Sequence, residues 1–586
     1  MKFLRNLLAA ILGCLVAFGL VVVMFFIFAA LVGSAEDGVV VKDNSILELR
    51  FTDPIKDYVG RDETDPFVGL LSDEAGLDDI LHTIEVAKGD EKIKGISIAT
   101  SFLQAGLAQT QEIRKALLDF KSEGKFIYAH SDFYTQKDYY LASAADEMHL
   151  NPVGGMDFKG LATEVLYFKG LQEKTGVKME VIRHGKYKAA VEPFLSDTMS
   201  SENRAQIKEL ITSLWNTMVS DISAAREISE QDLNAIADTL GGRTPSYAVA
   251  SGLIDGSLHA DQYEALLKEK IGLDETTDVN YVEFTDYIQV TRNKRLRKGK
   301  DKIAVVYAQG EIIYGEGSKE AIGQGLITSA LQKAVDNESV KAIVLRIDSP
   351  GGSALVSDII WRAIELAKEI KPIVVSFGNV AASGGYYIGV AGDKIFAEPT
   401  TITGSIGVFG VIPNANELAG DMGINAEQVG TNENSVDYSL FEPMNDTFRS
   451  VLKEGIEDTY ETFLERVAAG RNMSVAQVDS LAQGRVWSGV DAKENGLVDE
   501  LGSLDDAIAA AAEMAELDEY GIRKYPKYKS DFERLLEDFG GAKSKFSDAL
   551  IQEEIGLEAY QILKEFKQIT QQKGIQAKMP FSLNIK

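Results

Sequence analysis

Two glycine-rich stretches and one basic stretch hold the side chains of this sequence best suited to nucleophilic chemistry. Arg346-Ile347-Asp348-Ser349-Pro350-Gly351-Gly352-Ser353 and Gly378-Asn379-Val380-Ala381-Ala382-Ser383-Gly384-Gly385-Tyr386-Tyr387 each follow a short apolar, strand-like run. In open α/β sheets ligands bind beyond the carboxyl ends of the strands, so both loops are expected to face one crevice. Ser383 falls on a strand-to-helix turn among small neighbours. Its hydroxyl is therefore accessible, and free backbone N–H groups lie ready to stabilise an oxyanion. The pair Gly351-Gly352 lets a second backbone N–H approach from across the crevice. Either loop alone reads as a tight turn packed on a helix; together they read as the halves of a site.

A serine hydroxyl needs a base. All five histidines (His82, His130, His149, His184 and His259) lie far ahead of Ser383. No Ser-His-Asp triad can be assembled from the part of the chain that carries the serine. The earlier part offers Arg183-His184-Gly185-Lys186-Tyr187-Lys188-Ala189-Ala190-Val191-Glu192-Pro193-Phe194, with His184, Lys186 and Lys188 as candidate bases. A free lysine titrates near pH ~10.4, so burial must lower it before it can act at neutral pH. Tyr187, Ala189, Ala190 and Val191 give Lys188 such a setting.

The elements that must position these residues come in two copies. At one constant spacing Lys94-Gly95-Ile96-Ser97-Ile98 falls on Lys341-Ala342-Ile343-Val344-Leu345, and Tyr139-Tyr140 falls on Tyr386-Tyr387. Asp146 then falls on Asp393, Pro152 on Pro399 and Gly160 on Gly407. Further on, with small shifts in spacing, Glu192-Pro193 matches Glu442-Pro443, and Gly252-Leu253-Ile254-Asp255 matches Gly496-Leu497-Val498-Asp499. Preserved order with slow drift is the mark of duplication followed by loop changes. The copies have diverged chemically: Gln136 stands where the second copy has Ser383, and Gln104-Ala105 where it has Gly351-Gly352. The stretch equivalent to Lys188, around Ser435–Phe441, has no lysine. Each copy holds what the other lacks. Within a copy, short apolar runs alternate with helical patterns, which predicts an α/β fold with mostly parallel sheets.

The 586 residues carry 89 acidic and 60 basic side chains, a net charge of −29. Such a balance disfavours a nucleic-acid partner. The single cysteine, Cys14, excludes an intrachain disulfide framework and any multi-cysteine metal site. Residues 7–33 bear no charged side chain. As a helix they would span roughly 40 Å, enough for a hydrocarbon core of about 30 Å. Lys2 and Arg5 before the run, with Glu36 and Asp37 after it, predict a cytoplasmic N-terminus and an extracytoplasmic body. The run is longer than the apolar core of a cleaved signal, so an uncleaved anchor is expected.

These motifs resemble the long, tandem form of the signal peptide peptidase A family, Ser-Lys proteases of the Clp protease/crotonase superfamily. The resemblance rests on Tyr187-Lys188-Ala189-Ala190-Val191-Glu192-Pro193-Phe194, Asp348-Ser349-Pro350-Gly351-Gly352, Ala381-Ala382-Ser383-Gly384-Gly385-Tyr386-Tyr387 and Thr403-Gly404-Ser405-Ile406-Gly407. It covers all but the tail. It implies Ser383 as nucleophile, Lys188 as general base, Ser405 as the residue orienting the lysine, and the Gly352 and Gly384 N–H groups as oxyanion hole. Neither metal nor other cofactor is implied. The implied enzyme is a serine endopeptidase of the bacterial inner membrane, its body on the periplasmic side. Its substrates would be cleaved signal peptides and similar apolar peptides, and its assembly a homotetramer. A crotonase-like acyl-CoA enzyme and a non-catalytic membrane-protein scaffold are the alternatives. The expected organisation is a cytoplasmic N-terminus (1–6), an anchor (7–33), a first Clp/crotonase-like repeat (45–290), a basic linker (291–300), a second repeat (301–523) and a charged tail (524–586).

Overall fold

The computed structural model describes residues 5, 6, 10–20, 24, 40–60, 75–292, 294, 296–436, 438–528 and 575–579. Most of the expected anchor at 7–33 lies outside the described residues, as does the tail from 529 to 574 and from 580 on. Among the described residues no helix is long and apolar enough to cross a membrane.

The first copy opens with β1 (Ser45–Leu49), β2 (Ile93–Ile98), β3 (Phe126–Tyr134) and β4 (Glu147–Met156). The next strand, β5 (Lys178–Arg183), leaves this sheet; β6 (Gly256–Ser257) and β7 (Asn280–Glu283) return to it. The six form one parallel sheet in the order β6-β4-β3-β2-β1-β7.

The second copy runs through β8 (Lys302–Gln309), β9 (Glu311–Ile313), β10 (Ala321–Gly323), β11 (Val340–Ser349), β12 (Gly351–Ser353) and β13 (Ile373–Ala382). It continues with β14 (Lys394–Ala397), β15 (Ile402–Gly404), β16 (Phe409–Asn414), β17 (Val486–Ser488), β18 (Glu500–Leu501) and β19 (Gly521–Tyr525). Its main sheet repeats the first in the path β18-β14-β13-β11-β8-β19, all parallel. Ala342–Ile347 of β11 is buried throughout, as expected of a parallel strand covered on both faces. One edge of β13 forks. Val374–Phe377 pair with β14, and Val380–Ala382 pair with β15.

A third sheet, in the order β10-β9-β12-β20-β16-β5, ties the copies together, with β20 (Gln576–Lys578) supplied by the tail. In it β5 of the first copy runs antiparallel to β16 of the second, from Arg183 opposite Phe409 to Lys178 opposite Asn414. Lys188 follows β5 closely and Ser405 precedes β16, so this pairing carries the two copies' key loops toward each other.

The copies also share a buried charge cluster. Arg346 on β11, 1% exposed, donates from Nε to Asp57 Oδ2 at 2.6 Å and from Nη2 to Glu112 Oε1. Its Nη1 donates to Ser376 Oγ at 2.9 Å. Both carboxylates belong to the first copy. Burial pushes Glu112 above the usual carboxylate range, and the guanidinium opposes that push. Removing one partner from such a cluster leaves uncompensated buried charge. Arg346→Leu is therefore expected to lower unfolding free energy by about 3–5 kcal/mol in urea titration.

Candidate active site

Lys188 ends a tight turn after β5. Its backbone N–H donates to Gly185 O at 3.3 Å, and Arg183 Nη1 donates to its carbonyl at 3.2 Å. The other copy forms its seat. Tyr187 N–H donates to Gln483 O at 2.9 Å, and a Cβ on Gly484 would come within 2.6 Å of both Lys188 N and Cβ. With φ +80 at Gly484, glycine satisfies the turn and the contact at once. The lysine side chain is fully buried. Nζ lies 2.9 Å from Ser383 Oγ, 3.0 Å from Ser405 Oγ and 3.0 Å from Ser405 O, with the Phe409 ring centroid 5.9 Å away. Burial without a carboxylate partner holds its pKa well below the ordinary lysine value.

Ser383 joins β13 to the short helix Gly384–Gly389 at φ 54° and ψ −114°. Its N–H donates to Gly404 O at 2.8 Å, and its carbonyl accepts from Tyr387 N–H at 2.8 Å. The hydroxyl is buried and sits 3.4 Å from Gly407 O. Ser405 also has a positive φ, 52°, and its N–H donates to Arg485 O at 2.6 Å. Gly384 opens the helix, so its N–H has no acceptor within that helix. Gly351 (φ +93) lies against it: a Cβ there would stand 2.7 Å from Gly384 N. The structure thus brings Lys188, Ser383 and Ser405 into direct contact, with Gly351-Gly352 and Gly384 beside them. His184 stacks on Tyr460 at 4.1 Å, and Lys186 is exposed, over the Tyr187 ring.

A groove of about 1260 Å³ runs between the copies, with Leu161, Val191, Phe194, Val380, Ile402 and Phe409 among its apolar lining. Ser383 and Lys188 are not on its wall, and Phe409, whose ring centroid lies 5.9 Å from Lys188 Nζ, links it to them. On its polar side, burial and the neighbouring Asp57 push Asp348 up to about 7. The tail strand β20, absent from the sequence reading of the site, occupies one edge of this groove. Gly351, Gly352 and Ser353 pair antiparallel with Lys578, Ala577 and Gln576, while Gln576 also pairs with Phe409 of β16. Met579 N–H donates to Pro350 O at 2.6 Å, and the Met579 side chain packs among Leu210, Leu214, Ala382, Ile402 and Val486. No local signal marked this three-residue strand. Gly484 also escaped the sequence reading, because its role is visible only once the copies are docked.

The chain is similar in sequence to known peptidases. The model of Peptidase family S49 matches residues 119–274 and 365–518, one stretch in each copy. Protease 4 of Haemophilus influenzae is 40% identical over 446 residues, covering 74% of this chain and 72% of the relative. Protease 4 of Salmonella typhi is 37% identical over 478 residues, covering 80% and 77%. The chloroplastic serine protease SPPA of Arabidopsis thaliana is 32% identical over 434 residues, covering 73% and 64%. Matched in both copies, and aligned with relatives over most of its length, the chain belongs to Peptidase family S49 and is a serine peptidase.

Proposed function

We propose that this serine peptidase works through a Ser383–Lys188 dyad and degrades extended apolar peptides, cleaved signal peptides among them, at a membrane. The observation that carries the reading is a buried lysine amine 2.9 Å from a buried serine hydroxyl with no carboxylate beside it. A neutral amine has two N–H donors and one lone pair. Ser405 O and Ser405 Oγ take the donors, leaving the lone pair for the Ser383 hydroxyl proton. Once the proton has moved, the same three oxygens accept all three N–H bonds of the ammonium. Ser383 attacks the peptide carbonyl, the Gly352 and Gly384 N–H groups hold the oxyanion, and Lys188 passes its proton to the leaving amine. Water activated by Lys188 then releases the acyl-enzyme.

The groove supports the substrate class. Its apolar wall suits apolar side chains, and β20 already lies there as an extended antiparallel strand, the form in which main-chain hydrogen bonds recognise any peptide. Deleting the chain after residue 574 is expected to raise kcat/KM for an apolar peptide several-fold. An unchanged value would make β20 a fixed part of the sheet with no bearing on access. Anchorage through 7–33, with the body on the periplasmic side of a bacterial inner membrane, is supported by the flanking charges at Lys2, Arg5, Glu36 and Asp37. Assembly as a homotetramer is supported by the exposed apolar stripe Leu355, Ile359 and Leu366.

The test of the reading is a fluorophosphonate probe together with an unquenching apolar peptide. The wild-type protein should take the label at Ser383 and cleave the peptide, and Ser383→Ala should do neither. Undiminished cleavage by Ser383→Ala would sink the mechanism. Because both dyad members lie in one chain, mixing Ser383→Ala with Lys188→Ala subunits is expected to restore nothing.

A further inference from the structure

The helix Leu107–Lys121 of the first copy begins without a capping side chain of its own. Its N-cap is Gly106, at φ −73° and ψ 168°. Those are the extended dihedrals of an N-cap, whose side-chain oxygen would ordinarily accept from the N–H of the second or third helical residue. Here the third residue, Gln109, donates its N–H at 3.1 Å to Asn379 Oδ1, which comes from the other copy. The fit is steric as well as polar. A Cβ on Gly106 would fall 2.0 Å from Asn379 Oδ1 and 2.1 Å from its Cγ. The Asn379 amide therefore fills the volume that a capping side chain at 106 would need. The helix is capped across the interface between copies.

The other end of the amide reaches the glycine loop beside Ser383. Asn379 Nδ2 donates to Asp348 Oδ2 at 3.3 Å, and Asp348 Oδ1 accepts from Val380 N–H at 2.9 Å. Asp348 is the first residue of Asp348-Ser349-Pro350-Gly351-Gly352, and Asn379 lies on β13, the strand that leads to Ser383. It stands at the fork of that strand, between the segments paired to β14 and β15. On the helix side, Gln109 Nε2 donates to Asp57 Oδ1 at 2.8 Å, and Asp57 accepts from Arg346. One amide thus joins three parts: the nucleophile's strand, the oxyanion loop and the copy that supplies the lysine.

A dyad divided between two copies works only if the copies keep their register, since reacting groups about 1 Å out of place lose about 100-fold in rate. We propose that Asn379 is a positioning residue of the peptidase, a helix cap supplied in trans that sets the Ser383 strand and the Gly352 loop against the lysine-bearing copy. This rests on the Ser383–Lys188 reading given above.

The hydrogen bonds supply a test by exchange. In Asp348→Asn the new amide must keep its oxygen toward Val380 N–H, which points its NH2 at the NH2 of Asn379. In the double variant Asp348→Asn/Asn379→Asp the donor and acceptor are swapped. Asn at 348 then donates to Asp at 379, whose second oxygen still accepts from Gln109 N–H. The net charge is unchanged. Peptide turnover, fluorophosphonate labelling of Ser383 and the urea midpoint would be measured for the full chain and each variant. Expected are a kcat lowered about 10- to 100-fold in Asn379→Ala and Asp348→Asn, with KM little changed, and recovery to within a few-fold of wild type in the double variant. A merely structural role predicts losses that follow the urea midpoint and no recovery on exchange. The proposal is overturned if Asn379→Ala turns over like wild type, or if the folded double variant is no better than Asp348→Asn. Failure of the wild-type protein itself to be labelled at Ser383 would remove the peptidase mechanism, and this inference with it.

Discussion

Lys188→Met is expected to lower kcat by about 10⁴-fold or more and to flatten the pH dependence of unfolding between neutral and alkaline pH. On the proposed dyad, the first effect follows from removing the amine in contact with Ser383 Oγ. The second follows from burial. Lys188 has its pKa held well below the ordinary value in the folded protein, with desolvation as the cause. Between that depressed value and the unfolded value of about 10.4, the unfolded chain holds a proton that the folded chain lacks. Stability therefore climbs with pH through this window and levels off above it. Methionine fills a similar apolar volume and carries no proton, so the climb contributed by this residue disappears. The exchange also strips Ser405 O and two hydroxyls of a partner, at about 1 kcal/mol each, so the pH slope is the diagnostic quantity and the absolute midpoint is not. Urea midpoints for both proteins at several pH values from 6 to about 10 check this. Parallel curves would mean that Lys188 titrates normally, which would also remove its claim to be a base at neutral pH. Peptide turnover by the wild-type protein should rise with pH along the same titration.

Much of this site could be read from residue types alone. The second copy holds no histidine, which sent the choice of base to Arg183–Phe194 in the first. Composition narrowed the base to His184, Lys186 or Lys188, and family resemblance favoured the last. In the folded chain Lys188 Nζ touches Ser383 Oγ while His184 stacks on Tyr460. Parallel strands were legible for a physical reason: runs such as Ala342–Leu345 are apolar throughout because both faces are covered. What escaped was whatever depends on docking the copies. The pairing of β5 with β16 carries no sequence periodicity that names its partner. Arg346 is the one charged residue in the run Ala342–Ile347, and only the fold brings Asp57 and Glu112 to it. Gly106 carries no local mark of its role, since only the docked copies put the Asn379 amide in the place of its missing side chain. Gln576–Lys578 is too short to announce a strand, and its partner β12 lies more than two hundred residues earlier. Non-local pairings of this kind are settled by tertiary packing, which local propensity does not encode.

Ser383→Ala and Ser383→Gly are both expected to drop turnover to background, yet to differ in stability, with the glycine variant the more stable by about 1 kcal/mol. The expectation comes from the backbone. Ser383 sits at φ 54° and ψ −114°, and an L-residue held in so sparsely populated a region costs about 1–3 kcal/mol. Two hydrogen bonds hold it there: its N–H to Gly404 O and its carbonyl to Tyr387 N–H, both 2.8 Å. The turn is what presents Oγ to Lys188 while the helix Gly384–Gly389 starts at the next residue. Alanine keeps the Cβ and the strain while removing the nucleophile. Glycine removes both, and the greater freedom of the unfolded glycine chain offsets only part of the relief, about 0.5–1 kcal/mol. Urea unfolding of the two inactive proteins therefore measures the strain without any contribution from chemistry. If alanine proves as stable as glycine, the turn is relaxed and the presentation of Oγ to Lys188 has a different origin. If either variant still cleaves peptide at the wild-type rate, Ser383 is not the nucleophile, and Lys188 is buried for some other purpose.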